Sequence, residues 1–458
     1  MKLTDKVQLS ELEKTYCSQG DTSGKRSPKK FFTRALGSFL YDEDGTQYLD
    51  FQMFNSAANF GYQSELHLQA MERQLRTLPS LAGEFMHDER VILSAKLSEQ
   101  IEKTFSVKGR VHFSVGGAQA VDDALRIAAN FTGTGSVFAF EGSYHGRTVA
   151  ASTISSSYRY RKHLQSNSHA RFIPFPYCYR CAYGRQYPAC EYYCVSQFER
   201  LFESEFHGVL DPQSKRSEYR AFFLEPVLGR GGYVVPPPEY FKRIKEILDA
   251  HNILLVVDEV QMGFYRTGKM WSIEHFGVVP DIIIFGKAIT NGLFPLAGIW
   301  ASERLISPDV WPPGSSHATF AAQPLGTAAG LATFELLANN DFEHIVSQRN
   351  LQLKNAILEI QSRFGVFGRI DTLGLAFGLE VCTPGTDKPD PALARRISEM
   401  ALNEPVDIGG KKYGLILTTG GYHDHVFMLS PSLLIGNAEV GLFKELLTHY
   451  ISRSMQYR

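Results

Sequence analysis

The sequence has little net charge, few cysteines and no long apolar run, and each shortage removes a class of function. Lysine and arginine number 47 against 48 aspartates and glutamates, for a net charge of −1. A chain so balanced has no general attraction for nucleic acid or an anionic membrane. Six cysteines among 458 residues are too few for a disulfide scaffold. No apolar run approaches the roughly 18 residues of a membrane span. The opening "MKLTDKVQLSELEKTY" reads as too polar for a secretory signal, so the expected location is cytoplasmic. There is no internal repeat and no low-complexity tract. What is present is ordinary globular composition, 44% hydrophobic and 21% charged. That suffices for one large core plus a second, smaller domain.

The stretch "SQGDTSGKRSPKK" is polar and rich in breakers, a loop or flexible arm. "GSFLYDEDGTQYLDF" reads as a hairpin turning at Asp44-Gly45. Residues from about 65 to 105 have helical periodicity. Between about 110 and 300, the apolar runs "RVHFSV", "SVFAFE", "AFFLEP", "ILLVVDEV" and "DIIIFG" alternate with helix-like stretches. Such alternation predicts an α/β fold with a mostly parallel, wound sheet, whose ligands collect at the carboxyl ends of the strands. After about 330, long helices and the strand-like runs "LAFGLEV" and "HVFMLSPSLLI" suggest a smaller α+β domain. The expected division is an arm and hairpin over 1–60 belonging to the small domain, a large domain over 61–330, and the rest of the small domain over 331–458.

Each strand end carries a residue with a chemical and a bland reading. Lys287 follows "IIIFG". It either snorkels to water or, desolvated, becomes a neutral amine able to form Schiff bases with carbonyls. Asp258 ends "ILLVVD". It is either a structural cap or the partner of a buried cation such as the protonated pyridine of pyridoxal phosphate (PLP). Gly116-Gly117-Ala118 lead from a strand directly into a helix. They make a tight turn or a phosphate cradle at a helix N-terminus. Tyr144, beside His145 in "EGSYHGRT", either packs or stacks on a planar ring. Taken together, a phosphate cradle, an aromatic plate, a carboxylate and a lysine match the requirements of one cofactor, PLP.

The segment "LEPVLGRGGYVVPPPEYFKRIKEILDAHNILLVVDEVQMGFYRTGKMWSIEHFGVVPDIIIFGKAI", with its lysine 29 residues after Asp258, closely resembles class III PLP-dependent aminotransferases, the ω-aminotransferase group. The likeness runs from "LYDEDGTQYLDF" to "SPSLLI". It implies PLP-dependent transferase fold type I and a homodimer with shared active sites. It also implies amino transfer from an amine donor to a 2-oxo acid acceptor, with no nucleic acid or membrane partner. By matching positions, the resemblance makes Lys287 the Schiff-base lysine and Asp258 the partner of the pyridine nitrogen. Val260 and Tyr144 would flank the ring, with His145 beside Tyr144, and Gln261 would bond the phenolic oxygen. Gly117 and Ala118 would bind the phosphate, and Thr319 would reach the phosphate of the neighbouring subunit. Glu225 matches a pocket glutamate that governs carboxylate recognition, and Phe54, Asn55 and Phe85 match pocket positions. An amino-acid racemase or aminomutase on the same scaffold is the alternative. A non-catalytic module would have no chemical need for Lys287, Asp258 and Gln261 together.

The chain departs from the family pattern in three places. "VGGAQA" stands where the family has Asn-Ser-Gly-Thr/Ala-Glu-Ala, so Val115, Gly116 and Gln119 replace Asn, Ser and Glu. This form is closer to the diaminobutyrate:2-oxoglutarate branch. No arginine occurs from Gly414 to Ile435, where many relatives bind the substrate's α-carboxylate. Met428 and the pair Thr418-Thr419 occupy those positions, which favours a donor whose reacting amine is distant from any carboxylate. Finally, Cys178, Cys181, Cys190 and Cys194 form C-x2-C-x8-C-x3-C. These thiols either hold a metal or stay reduced in a packed loop.

Overall fold

The computed structural model describes residues 6–18, 20, 30–162, 170–206 and 208–456. The breaker-rich stretch expected to be an arm lies largely outside them. Near the N-terminus, β1 (Phe32–Leu36), β2 (Phe39–Asp42) and β3 (Gln47–Asp50) form an antiparallel meander. The predicted Asp44-Gly45 turn is there, with Gly45 at φ 79, a conformation open to glycine at no steric cost.

The centre is a seven-stranded sheet of β4 (Gly109–Ser114), β5 (Val137–Phe140), β6 (Ala170–Ile173), β7 (Ala221–Leu224), β8 (Leu254–Asp258), β9 (Ile282–Phe285) and β10 (Ala297–Ser302). Its order is β4-β10-β9-β8-β7-β5-β6. Strands β5, β7, β8 and β9 are buried at every residue. Apolar groups therefore alternate with nothing polar, as befits a sheet covered on both faces. Only β10 runs antiparallel, against both β4 and β9. The connection 286–296 is too short for the crossover that a parallel partner requires, and Asn291 (φ 49) and Gly292 (φ 74) reverse the chain.

The helix Gly117–Thr132 lies close on the sheet because its buried face is small: Ala120, Ala124 and Ala128, with Val121 and Ile127 beside them. It ends at Gly133, whose φ of 78 continues into no further helical turn. The helices Glu65–Thr77 and Asp88–Phe105 pack on Pro324–Ala338.

The C-terminal part adds β11 (Phe367–Leu373), β12 (Ala376–Val381), β13 (Val406–Ile408), β14 (Lys411–Ile416), β15 (Thr418–Gly420) and β16 (Val426–Leu429). Four of these make a sheet in the order β11-β12-β16-β15. Strand β14 instead pairs in parallel with β3, Tyr413 opposite Gln47 and Ile416 opposite Asp50. The N-terminal hairpin is thereby tied to the C-terminal part, and Phe51 stacks on Phe443 with centroids 4.0 Å apart. The expected strand "HVFMLSPSLLI" is shorter than its apolar run. It stops at Leu429, because Pro431 cannot donate to a ladder.

Candidate active site

Five parallel strands deliver the site residues at their carboxyl ends. After β4 come Val115 and Gly116, then the first turn of the helix Gly117–Thr132. Four residues past β5 stands Tyr144, followed by His145. Glu225 follows β7, Asp258 ends β8, and Lys287 follows β9 by two residues. The wound topology thus gathers residues separated by 170 positions into one crevice.

The deepest contact joins His145 to Asp258, Nδ1 to Oδ2 at 2.8 Å. The other carboxylate oxygen accepts the N–H of Val260 at 3.1 Å. Burial disfavours the imidazolium, but the hydrogen bond and charge of Asp258, with Glu225 behind it, raise the His145 pKa above its ordinary value. Its Nε2 is buried without a hydrogen-bond partner. Glu225 accepts from the N–H of Tyr144 and the N–H of Gly229, each at 3.1 Å. One carboxylate therefore fixes two loops. Burial pushes its pKa up to about 7, against the pull of His145 and those two donors.

Lys287 adopts φ 47, a strained setting for a side chain with a Cβ. Enclosure by protein atoms lowers its pKa to about 8, opposed by Asp258 and Glu225. An amine in that range is substantially neutral at mildly alkaline pH and can act as a nucleophile. A Cβ built on Gly116 meets nothing within 4 Å, and one on Gly117 meets Val260 Cγ1 at 3.2 Å. The first-turn N–H groups have no partner within the helix. With open space at Gly116, this helix start is a fitting place for an anion.

The other expected residues are distributed unevenly. The Gln261 amide nitrogen donates to Tyr233 Oη at 2.8 Å, and that hydroxyl lies 3.4 Å from Ser56 Oγ. Tyr233 and Ser56 carried no signal in the sequence, since only the folded chain brings them to Gln261. The pocket pair Phe54 and Asn55 sits in a left-handed turn in which Met53, Phe54, Asn55 and Ser56 all have positive φ. Such a run in residues other than glycine is strained. Phe54 abuts Gly292, in the loop that follows Lys287. Thr319 and Phe85 are exposed. Met428, in the place of the missing arginine, is 5% exposed and packs among Val227, Tyr233, Met262 and Ala376. Thr418 is its cross-strand partner.

The four clustered cysteines are free thiols. Burial and the neighbouring thiols push Cys178 up to about 12 and Cys194 up to about 11. Thiolates around one zinc ion stand about 3.8 Å apart. Among the described residues, only His87, Asp88 and Glu89 bring three ligand atoms within 4.8 Å of one another. These are committed elsewhere: His87 caps a helix through Nδ1 and meets the Ala322 carbonyl through Nε2. The cysteine loop is instead anchored by Tyr177 and Arg180, both bonded to the buried Glu380.

Residues 22–451 match the family described as "Aminotransferase class-III". The chain is 31% identical over 405 residues to the alanine/serine racemase of Pyrococcus horikoshii, covering 88% of this chain and 81% of that protein. It is 28% identical over 413 residues to the diaminobutyrate–2-oxoglutarate aminotransferase of Haemophilus influenzae, covering 89% and 87%. Among solved structures, a PLP-bound amine transaminase from an uncultivated Pseudomonas species superposes with a TM-score of 0.82. It shares 26% identity and covers 94% of this chain and 98% of that one. With its family match across nearly the whole chain, its wound sheet and its lysine beyond a central strand, the protein belongs to the class-III aminotransferases and has the type I fold of PLP-dependent transferases.

Proposed function

We propose that the enzyme transfers a primary, ω-placed amino group from an amine or diamino acid to a 2-oxo acid, with PLP as its cofactor. The observation that carries this reading is a lysine of lowered pKa at the end of β9, beside an aspartate at the end of β8 that is already hydrogen-bonded to a histidine. The residues suit the cofactor on two further counts. The helix that begins at Gly117 is entered through Gly116, where a Cβ would meet open space, room for a phosphate at a helix N-terminus. Two buried acids, Asp258 and Glu225, act on the one amine, and His145 Nδ1 holds the Asp258 carboxylate in place at 2.8 Å for a cationic ring.

When bound, PLP supplies an aldehyde that condenses with amines and a protonated ring that draws electrons from the amine-bearing carbon. Lys287 Nζ would hold the cofactor and, once freed by the substrate, move the proton at that carbon. Asp258, oriented by His145, would keep the ring nitrogen protonated. Val260 and Tyr144 would cover the ring faces, and Gln261 would bond the phenolic oxygen. Thr319 would serve the phosphate of a second subunit. The exposed Phe54 (58%), Phe85 (62%) and Phe320 (68%) support a dimer that covers them. The divided small domain, 1–60 with 331–458, around a large domain over 61–330 belongs to the same reading, as does a cytoplasmic location. No described helix is long and apolar enough to cross a membrane.

A racemase is the second reading, favoured by the likeness to alanine/serine racemase. Incubating the holoenzyme with 2,4-diaminobutyrate, a diamine or an ω-amino acid, without acceptor, separates the two. Amino transfer predicts stoichiometric carbonyl product and conversion of the cofactor to its amine form. Loss of optical activity from a single enantiomer, with no carbonyl released, would establish the racemase instead.

A further inference from the structure

The stretch from Gly414 to Ile435 holds no arginine, yet a guanidinium reaches it from another loop. Arg230 follows Gly229, whose N–H is fixed by Glu225. Its carbonyl accepts the N–H of Gly421 at 3.1 Å. Its side chain donates to the Thr419 carbonyl and, at 2.9 Å, to Asp424 Oδ1. Asp424 sits at φ 52 in the turn between β15 and β16. The two side chains are 32% and 55% exposed. An ion pair so open to water is weak, so another carboxylate can take the place of Asp424 at little cost.

Other side chains tie this turn to the site. Arg159 donates to Tyr160 Oη at 3.1 Å. The Tyr160 ring meets Tyr144 edge-on at 5.2 Å. Tyr422, from the same turn as Asp424, lies beside Gly142, two residues before Tyr144. The β15–β16 turn that carries Asp424 therefore meets the loop that carries Tyr144.

We propose that Arg230 is a specificity-determining arginine of this enzyme. Asp424 is its resting counter-ion, and its ligand is the carboxylate remote from the reacting carbon of a dicarboxylic 2-oxo acid. The inference rests on the aminotransferase reading. The reacting carbon must stand at Lys287, in the desolvated interior, whereas Arg230 opens to solvent. That separation selects the distal carboxylate. The forked geometry of a guanidinium suits a carboxylate better than an ammonium would.

The test compares 2-oxoglutarate with pyruvate as acceptors for the holoenzyme, using one common donor. Arg230→Gln should raise the KM for 2-oxoglutarate about tenfold or more, the loss of roughly one charge-assisted hydrogen bond. The KM for pyruvate should change by less than about threefold, since pyruvate has no distal carboxylate to lose a partner. Asp424→Asn, which frees the arginine, should lower the KM for 2-oxoglutarate and leave that for pyruvate in place. Equal shifts for both acceptors in Arg230→Gln overturn the inference while the functional reading stands. Should that variant fail to fold, an unchanged or raised KM for 2-oxoglutarate in Asp424→Asn overturns it equally. Wild-type enzyme that transfers to neither acceptor overturns the functional reading and the inference together.

Discussion

Two buried acids, each bonded to its own surroundings, show how the same residue types serve chemistry in one place and architecture in another. Glu225 has two backbone N–H donors and no cation bonded to it, and burial holds its pKa up at about 7. Glu380, on β12, accepts from Tyr177 Oη at 2.8 Å and from Arg180, meets His425 Nε2 at 2.6 Å, and has Arg369 Nε 3.6 Å away as a further charge. Burial would raise Glu380 as well, but these partners bring it down to about 2. Saturated with positive charge, Glu380 is a joint. It fastens the cysteine loop and the turn before β16 to the C-terminal sheet. Glu225 has only those two backbone donors, and His145 Nε2, beside Asp258, is left without a partner. That is the condition of a site shaped for a ligand rather than for itself.

The largest expected effect tests the joint. Glu380→Gln strands Arg180 without its anion and leaves Arg369 with Asp371 alone, and breaking a buried charge network in this way costs about 3–5 kcal/mol. Denaturant unfolding should register that loss. A change below about 1 kcal/mol, the value of an ordinary exposed pair, would collapse the distinction drawn between the two acids.

The next effect is in pH, and the two acids have opposite signs. The folded pKa of Glu225 lies above the ordinary 4.5. Folding therefore takes up a proton there, and this contribution to stability is lost as pH rises from 4.5 through 7. The folded pKa of Glu380 lies below 4.5. Its contribution is present above 4.5 and is lost as pH falls toward 2. Each limb is worth at most about 3 kcal/mol, from 1.36 kcal/mol per unit. In cofactor-free protein, Glu225→Gln should flatten the upper limb and leave the acid limb. A profile unchanged in Glu225→Gln would remove the argument that this carboxylate is under-satisfied.

The smallest effect sharpens the edge of the site. Tyr233→Phe removes the hydroxyl between Gln261 and Ser56, a loss of about 1 kcal/mol measured by thermal or denaturant unfolding. Conservation of the melting midpoint would mean that water replaces the hydroxyl and that Gln261 is held by other means.

Much of this arrangement was legible in the chain itself, for physical reasons that also set the limits. The apolar runs ending in Asp258 and Gly286-Lys287 are uninterrupted because both sheet faces are covered, so their ends mark the crevice directly. The antiparallel β10 was not legible. "AGIWAS" reads like any short strand, and only the length of the preceding connection decides its direction. The expected strand through "SPSLLI" fails at Pro431. Tyr233, Ser56 and Arg230 lay outside any recognisable pattern, because their meaning depends on contacts with residues 28, 177 and 189 positions away. The absence of an arginine from Gly414 to Ile435 was plain from the sequence, but an arginine arriving there from the loop after β7 required the fold. The cysteine spacing left a metal and reduced thiols both open, and the anchoring of that loop to Glu380 through Tyr177 and Arg180 was visible only in the fold.

The central claim is that Lys287 carries the cofactor, and borohydride reduction of the purified holoenzyme followed by peptide mapping tests it most directly. The account predicts a stable phosphopyridoxyl group on Lys287, in the peptide containing "IIIFGKAI". A label on another lysine, or none on protein that has taken up PLP, would contradict it.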